Sequence, residues 1–469
     1  MGITLHHQEE KALGKIIRKA EELRRQQDEN IHDKIVSTIY AEAEILSRAV
    51  VSSSGSKRDW DRLIDDLVTS KIFGYPLMLL LLGMVFWITI IGANYPSALL
   101  ADLFWWLEER LTALFLIMGA PLWLHGLAVQ GIYRGLAWVV AVMLPPMAIF
   151  FPIFTLLEDL GYLPRVAFNL DRIFKKVGAH GKQALTMSMG FGCNAAGVIA
   201  ARIIDSPRER MIAILTNNFV PCNGRFPILI IISTMFVGTK TTSRYGNIAA
   251  SAMVIGLVLV GISATFFVSW ALSKTILKGK PSLFTLELPP YRKPQVVQVI
   301  ARSFLDRTVF VLGRAVIVAA PAGAIIWIMA NVFIGDISFI RHATGWLEPF
   351  GQALGLDGVI VLAFLLGLPA NEIVIPIMLM CYFSAGAMLE PDSISALRDL
   401  LIFQGWTGLT ALNVMLFSLL HFPCGTTLFT IGKETGSFKW PAVAAAITTA
   451  IAVAACFLTA QAARLLALV

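Results

Sequence analysis

The sequence predicts an all-α, polytopic helical membrane protein with an internal inverted repeat, broken helices and re-entrant hairpins. Three observations carry that prediction. Of 469 residues, 57% are hydrophobic and only 15% charged, with a mean hydropathy of +0.72, against about 25% charge in an ordinary soluble chain. Apolar runs of about 20 residues recur, the length a spanning helix needs. Gly, Pro, Asn and Cys interrupt several of these runs; lipid tolerates such breaks only where protein or a watery cavity satisfies the freed backbone groups.

Residues 6–50 are charged and amphipathic, with Ile16, Ile17, Leu23, Ile31, Ile35 and Ile39 among Lys, Arg and Glu, and read as one or two soluble helices. Ser52-Ser-Ser-Gly55-Ser reads as a linker. Lys57 to Lys71 reads as a basic amphipathic helix on the inner membrane face. No cleavable signal precedes the first apolar run, which starts near Phe73. That run predicts an outward span at about 73–92. Residues 93–111, with Asp102, Glu108 and Glu109, then read as outside, and residues 112–131, with Pro121, His125 and Gln130, as interfacial or re-entrant. A span at 136–157 returns and ends at Glu158-Asp159; Arg165, Arg172, Lys175, Lys176 and Lys182 follow as a cytoplasmic signal.

Residues 185–201 are too short to cross twice and fit a re-entrant loop. Residues 211–238 read as an outward helix broken at Pro221-Cys222, and 246–272 as its return. The basic stretch 274–312, with Pro289-Pro290, reads as a cytoplasmic connector. In the second half come a span at 314–334, an outside loop, and the break Gly367-Leu-Pro369-Ala370-Asn371-Glu372 in an apolar stretch. A polar stretch at 386–400 leads to a broken span at 405–431, containing His421-Phe-Pro423-Cys424-Gly425, and a last span at 441–463. The order of segments therefore repeats. Gly190-x-x-Cys193-Asn194 matches Gly367-x-x-Ala370-Asn371, and Pro221-Cys222 matches Pro423-Cys424. By the charge pattern the halves start on opposite sides, an arrangement whose broken helices place a binding site near the midplane. The chain divides accordingly into a cytoplasmic helical segment (1–71), a first span with an interfacial segment (72–135), a first repeat (136–273), a connector (274–312) and a second repeat (313–469).

Cys193, Cys222 and Cys424 stand at the breaks and read as soft ligands, since thiolates suit iron, copper and zinc better than magnesium or calcium. Cys381 and Cys456 lie in unbroken helix and read as small apolar fillers; the five cysteines form no C-x-x-C and no disulfide framework. Asn194 and Asn371 either offer carbonyl oxygens to a cation or cap freed amides. Glu372 is an ionisable group inside a spanning region, which is expensive and points to function. Glu158 and Asp159 are equally suited to receiving or releasing a cation and to being ordinary interfacial acids. His421 reads as a metal ligand or proton relay, with a packed, hydrogen-bonded histidine as its commoner role. The net charge of +7 belongs to loops beside apolar runs, not to a nucleic-acid surface. No G-x-x-x-x-G-K-[ST], H-E-x-x-H or G-x-S-x-G is present, so no phosphate loop or hydrolase motif accompanies the spans. The chain reads as a transporter and not as an enzyme.

The strings Leu157-Glu-Asp-Leu-Gly-Tyr-Leu-Pro-Arg-Val-Ala-Phe168, Gly190-Phe-Gly-Cys-Asn194 and Cys222-Asn-Gly-Arg225 resemble the membrane domain of the bacterial ferrous iron transport protein B family. So do Asn371-Glu-Ile-Val374, Phe422-Pro-Cys424 and Lys433-Glu-Thr-Gly-Ser-Phe-Lys-Trp440, in the same order. The resemblance runs from about Ile72 to the C-terminus, and the family's two Gate, or nucleoside-recognition, repeats match the two halves. It implies an Fe2+ permease of the bacterial inner membrane, with a cytoplasmic N-terminus. Fe2+ would be the transported ion, with no permanently bound cofactor, and Cys193, Cys222, Cys424 and Glu372 would lie along its path. Asn194 joins them on the reading of the residues. The family usually begins with a GTP-binding domain, whereas residues 1–71 alone precede the spans here. The expectation is therefore a separate cytoplasmic GTPase subunit, or transport not driven by nucleotide. The partners are membrane lipid and that GTPase, with room for a homo-oligomer and none for nucleic acid. His421 stands where Tyr is expected, and Ala195-Ala196 replaces a Val-Pro pair. The alternatives are a transporter of a nucleoside-like or other small organic solute, and a non-transporting membrane scaffold.

Overall fold

The computed structural model describes residues 31–50, 60–70, 72–237, 243–279, 295–383, 386–388 and 394–466. Ile16, Ile17, Leu23, the serine-rich linker and Pro289-Pro290 lie outside the described residues. The described residues divide into two units between Arg62 and Leu63. In the first, α1 (Ile31–Val50) is an amphipathic helix. Helix α2 (Trp60–Val68) follows, with Leu63–Val68, Asp65 among them, in the second unit. It carries Asp61, Asp65 and Asp66 against Arg62, so the basic helix expected at 57–71 is, in its described part, more acidic than basic. The acid has a use: Asp65 accepts from Nε of the buried Arg165 at 2.9 Å.

Among its described residues the second unit is helical apart from one two-stranded hairpin (Phe333–Ile334 with Ile337–Ser338), and six described helices are long and apolar enough to cross a membrane. Its first element differs from the sequence reading. The span read as 73–92 does not stop there: α3 runs unbroken from Gly74 to Ile117 and takes in residues 93–111, 44 residues in all, or about 66 Å. Of the stretch 112–131, read as interfacial or re-entrant, residues 112–117 end α3 and residues 122–131 are helical as well. They open α4 (Leu122–Asp159), which packs antiparallel to α3 as a helical hairpin and passes through a π-helical stretch at Gly126–Tyr133. Two of the three acids there, Glu108 and Glu109, are good helix formers. Glu108, moreover, is buried, and both Nε and Nη2 of Arg134 on α4 donate to it, Nε at 3.0 Å to the nearer oxygen.

Then follow amphipathic α5 (Tyr162–Lys176), a hairpin of α6 (Gln183–Gly192) and α7 (Asn194–Ala200), and a broken helix of α8 (Pro207–Thr216) and α9 (Phe226–Phe236). Helix α10 (Ser243–Lys274) closes this half. The connector expected at 274–312 is helical in its later part. Helix α11 (Val296–Arg302) leads through a π-helical stretch (Ser303–Val309) into α12 (Phe310–Asn331). The second half repeats the order. Amphipathic α13 (Phe339–Ala353) precedes a hairpin of α14 (Gly358–Leu366) and α15 (Val374–Phe383). After α16 (Ile394–Phe403), within the stretch read as polar, come the broken pair α17 (Gly408–Leu420) and α18 (Gly425–Thr435) and the last span, α19 (Lys439–Leu465).

The two halves match in backbone detail. Cys193 and Ala370, at the two hairpin breaks, have φ/ψ of −153°/124° and −155°/129°. In each half an amide just past the Pro-Cys step donates to a carbonyl just before the hairpin break: Asn223 N to Gly192 O at 3.2 Å, and Gly425 N to Leu368 O at 2.6 Å. Asp357 fixes the start of α14, accepting from Ile360 N at 2.6 Å and from the Tyr382 hydroxyl, which in turn accepts from Trp406 Nε1 at 2.8 Å. Replacing Asp357 with Ala should cost about 1–2 kcal/mol, the usual loss for an N-cap. The check is a lower thermal-aggregation midpoint of the detergent-purified protein than that of the parent.

Candidate functional site

Two hairpin breaks and two broken-helix steps converge on one narrow cavity of about 30 Å³, above the roughly 10–15 Å³ that a single water requires. Its lining includes Cys193 and Asn194 from the first hairpin, Ala370, Asn371 and Glu372 from the second, Cys222 and Gly224 from the first broken helix and Cys424 from the second. The five residues singled out from the sequence as an ion path, Cys193, Cys222, Cys424, Asn194 and Glu372, thus share one wall, together with Asn371. Among the described residues, however, no three His, Cys, Asp or Glu side chains stand close enough together to hold a metal ion.

Each lining group is set by the break it belongs to. Cys193 stands at the N-cap of α7 in extended backbone, and Gly192 before it lies so close to the Phe150 ring that a Cβ there would clash with Cε1 and Cδ1. Oriented to satisfy its neighbours, the Asn194 amide donates to Val220 O at 3.2 Å and Gly190 O at 3.1 Å. It meets one carbonyl from each break of the first half and leaves its own oxygen free of that work. Its backbone carbonyl accepts from Asn217 Nδ2 at 3.0 Å. Cys424 caps α18, with its sulfur 3.3 Å from the Thr427 hydroxyl. Glu372 is half-buried, and its carboxylate packs on Gly224, where a Cβ would meet Cδ at 2.5 Å. Any larger residue at 224 would push the carboxylate aside. Outside the spanning segments, the Lys182 ammonium donates to Asp205 and to Ile203 O, each at 3.0 Å, and pins the two ends of the first hairpin together. That hydrogen bond holds the Asp205 carboxyl below its usual range.

The remaining candidates lie elsewhere. His421 is buried among Phe364, Phe417 and Phe422, and its Nδ1 lies 2.9 Å from Phe417 O and 3.0 Å from Ser418 O, a donor to the end of α17. It does not line the cavity. Glu158 and Asp159 end α4, and Asp159 accepts from Gln295 N at 3.3 Å. Cys381 and Cys456 are buried in helices, the latter against Asn413 O at 3.5 Å.

Sequence reasoning passed over three residues. Met143 and Met147, one turn apart on α4, add thioethers to the cavity wall; the Pro145-Pro146 pair between them was the available signal. Arg225 is the third, and it is fully buried. Its Nη1 donates to Asn218 O at 2.7 Å and Leu419 O at 2.8 Å, and its Nη2 to His421 O at 2.9 Å and Phe422 O at 3.3 Å. One guanidinium therefore joins the broken helix that carries Cys222 to the one that carries Cys424. The rule that picked out Glu372, an ionisable group inside an apolar run, applies equally to Arg225.

The Gate family profile, described as nucleoside recognition, matches residues 140–236 and 312–438, and the profile of the ferrous iron transport protein B C terminus matches residues 254–306. The chain is 30% identical over 432 residues to an Fe(2+) transporter FeoB of Staphylococcus aureus (strain COL), covering 90% of this chain and 61% of that protein. It is 28% identical over 420 residues to the Fe(2+) transporter FeoB of Methanocaldococcus jannaschii, covering 87% and 59%. A fusion of Fe(2+) transport protein A and FeoB from Porphyromonas gingivalis is 27% identical over 423 residues. The chain spans about three-fifths of the length of the first two relatives.

Loss of the guanidinium at 225 strands four carbonyls in an apolar interior, each at a cost of about 1–3 kcal/mol. Arg225→Met should therefore leave little folded protein in a detergent-stability assay. Arg225→Lys should recover only part of the loss, because an ammonium cannot reproduce the planar fork.

Proposed function

Because the chain belongs to the family of the ferrous iron transport protein B membrane domain, we propose that it conducts Fe2+ across the bacterial cytoplasmic membrane into the cell, through the cavity where the four helix breaks meet. The observation that carries the reading is the gathering there of three cysteines, three asparagines (Asn194, Asn223 and Asn371) and one glutamate, from segments far apart in sequence. Soft sulfur donors prefer iron to the harder magnesium and calcium ions, and the Met143 and Met147 thioethers extend the same preference. A path differs from a storage site: conduction needs donors strong enough to admit an ion and weak enough to release it. The spread of these donors, without a closed cage, suits passage.

The shared backbone geometry at Cys193 and Ala370 supports an inverted pair of Gate repeats, whose half-helix ends would face the ion near the midplane. The basic flanks at Lys175, Lys176 and Lys182 would lie on the cytoplasmic side. A GTPase, supplied by a partner, belongs to the same proposal as the source of gating. A cavity of about 30 Å³ offers a nucleoside-sized solute no room in this conformation.

Reconstituted in vesicles, the protein should admit Fe2+ in preference to Mg2+ or Ca2+. Cys222→Ser and Glu372→Gln should each lower the initial Fe2+ flux by about ten-fold, the effect of losing about 1.4 kcal/mol of ion stabilisation at the barrier. Unchanged flux in Cys222→Ser would remove the thiol from the path.

A further inference from the structure

A second cavity lies away from the ion path. It measures about 270 Å³ and sits between the first turns of α3, the end of α4, and helices α5, α6 and α10. Protein interiors are close-packed, and an engineered apolar cavity of about 150 Å³ already binds benzene, so a void of this size calls for an occupant. Its walls are almost wholly hydrocarbon, among them Leu81, Phe154, Phe191 and Phe266. Two of the three hydroxyls on its wall have other work: Ser188 donates to Ala184 O at 2.9 Å and Tyr75 to Asn169 O at 3.0 Å; the third belongs to Tyr162. A polar ligand would meet a single hydroxyl in a wall of hydrocarbon.

The cavity also opens sideways. Leu79 and Ile173 line it and are at the same time exposed, and α3 and α10, which bound it, are long and apolar enough to cross a membrane. It is therefore continuous with the surface that faces lipid. We propose that it holds one acyl chain of a membrane phospholipid. A chain there would bear on the first hairpin. Phe154, on the cavity wall, stacks on Phe150 with ring centroids 5.5 Å apart, and the Phe150 ring lies against Gly192, the residue before Cys193. A filled cavity holds this stack in place and with it the extended backbone at the Cys193 break; an empty one leaves Phe154 without a neighbour on one side.

The test is a binding measurement and does not depend on transport. The full chain is placed in phosphatidylethanolamine and phosphatidylglycerol vesicles that contain a trace of phospholipid with a diazirine on its acyl chain, and adducts are mapped by mass spectrometry. Peptides containing Leu79–Leu82 and Met187–Phe191 should carry about ten-fold more label than the equally apolar, lipid-exposed peptide around Leu259; that ratio corresponds to about 1.4 kcal/mol, the burial of roughly two methylenes. Ser188→Trp and, independently, Leu81→Trp fill the cavity and should abolish the excess. Equal labelling at Leu259 in the unaltered protein would overturn the proposal, whether or not either variant folds. So would an excess that survives in a folded variant.

Discussion

The fold hangs on a single guanidinium that answers for backbone the helices abandon. Each break in an apolar helix strands carbonyls that a bilayer cannot hydrate. Arg225 takes four of them, from Asn218 on one side and from Leu419, His421 and Phe422 on the other. Removing an isolated charge from water is costly, and such a charge persists only where hydrogen bonds surround it. Here the breaks supply the acceptors that stabilise the cation, and the cation satisfies the breaks. Neither would be stable in this place without the other.

The same accounting explains the smaller polar groups nearby. Asn194 meets Gly190 O and Val220 O, His421 meets the end of α17, and Asp357 meets the start of α14. With the freed backbone so occupied, the side chains left to face the cavity are the thiols, the Glu372 carboxylate and the asparagine oxygens. The chemistry of the wall is what remains after the helix ends have been closed. Across the bundle, Arg202 at the end of the first hairpin and Glu434 at the end of α18 form a two-pronged pair at 2.7 and 2.8 Å, so the halves are tied at their edge as well as at Arg225.

The breaks were legible in the sequence because their cause is local: Pro removes a donor and Gly loosens the helix, wherever they stand. That is why Cys193, Cys222, Cys424, Asn194 and Glu372 could be named before their convergence was visible. What depends on contacts between distant segments was not legible. Glu108 reads only as an acid lying outside, and its burial could not be foreseen because its partner Arg134 is 26 residues away on another helix. The first span reads as ending near residue 92, yet α3 runs on to Ile117. His421 sits beside Pro423-Cys424 in sequence, but the extended step at 421 turns it into an aromatic cluster. Arg225 carried a signal, its charge within an apolar run, but nothing in the sequence said that its acceptors would come from the other half of the chain.

The length of the hairpin of α3 and α4 has a mechanical consequence. A rod about twice as long as the hydrocarbon core is thick meets the bilayer at whatever tilt its flanks permit. Met143 and Met147 lie near the middle of α4 (Leu122–Asp159). In a rigid lever, rotation about a fulcrum at the base carries mid-shaft points through a proportionate arc. Any swing of the distal end therefore displaces the two thioethers relative to the sulfur atoms across the gap.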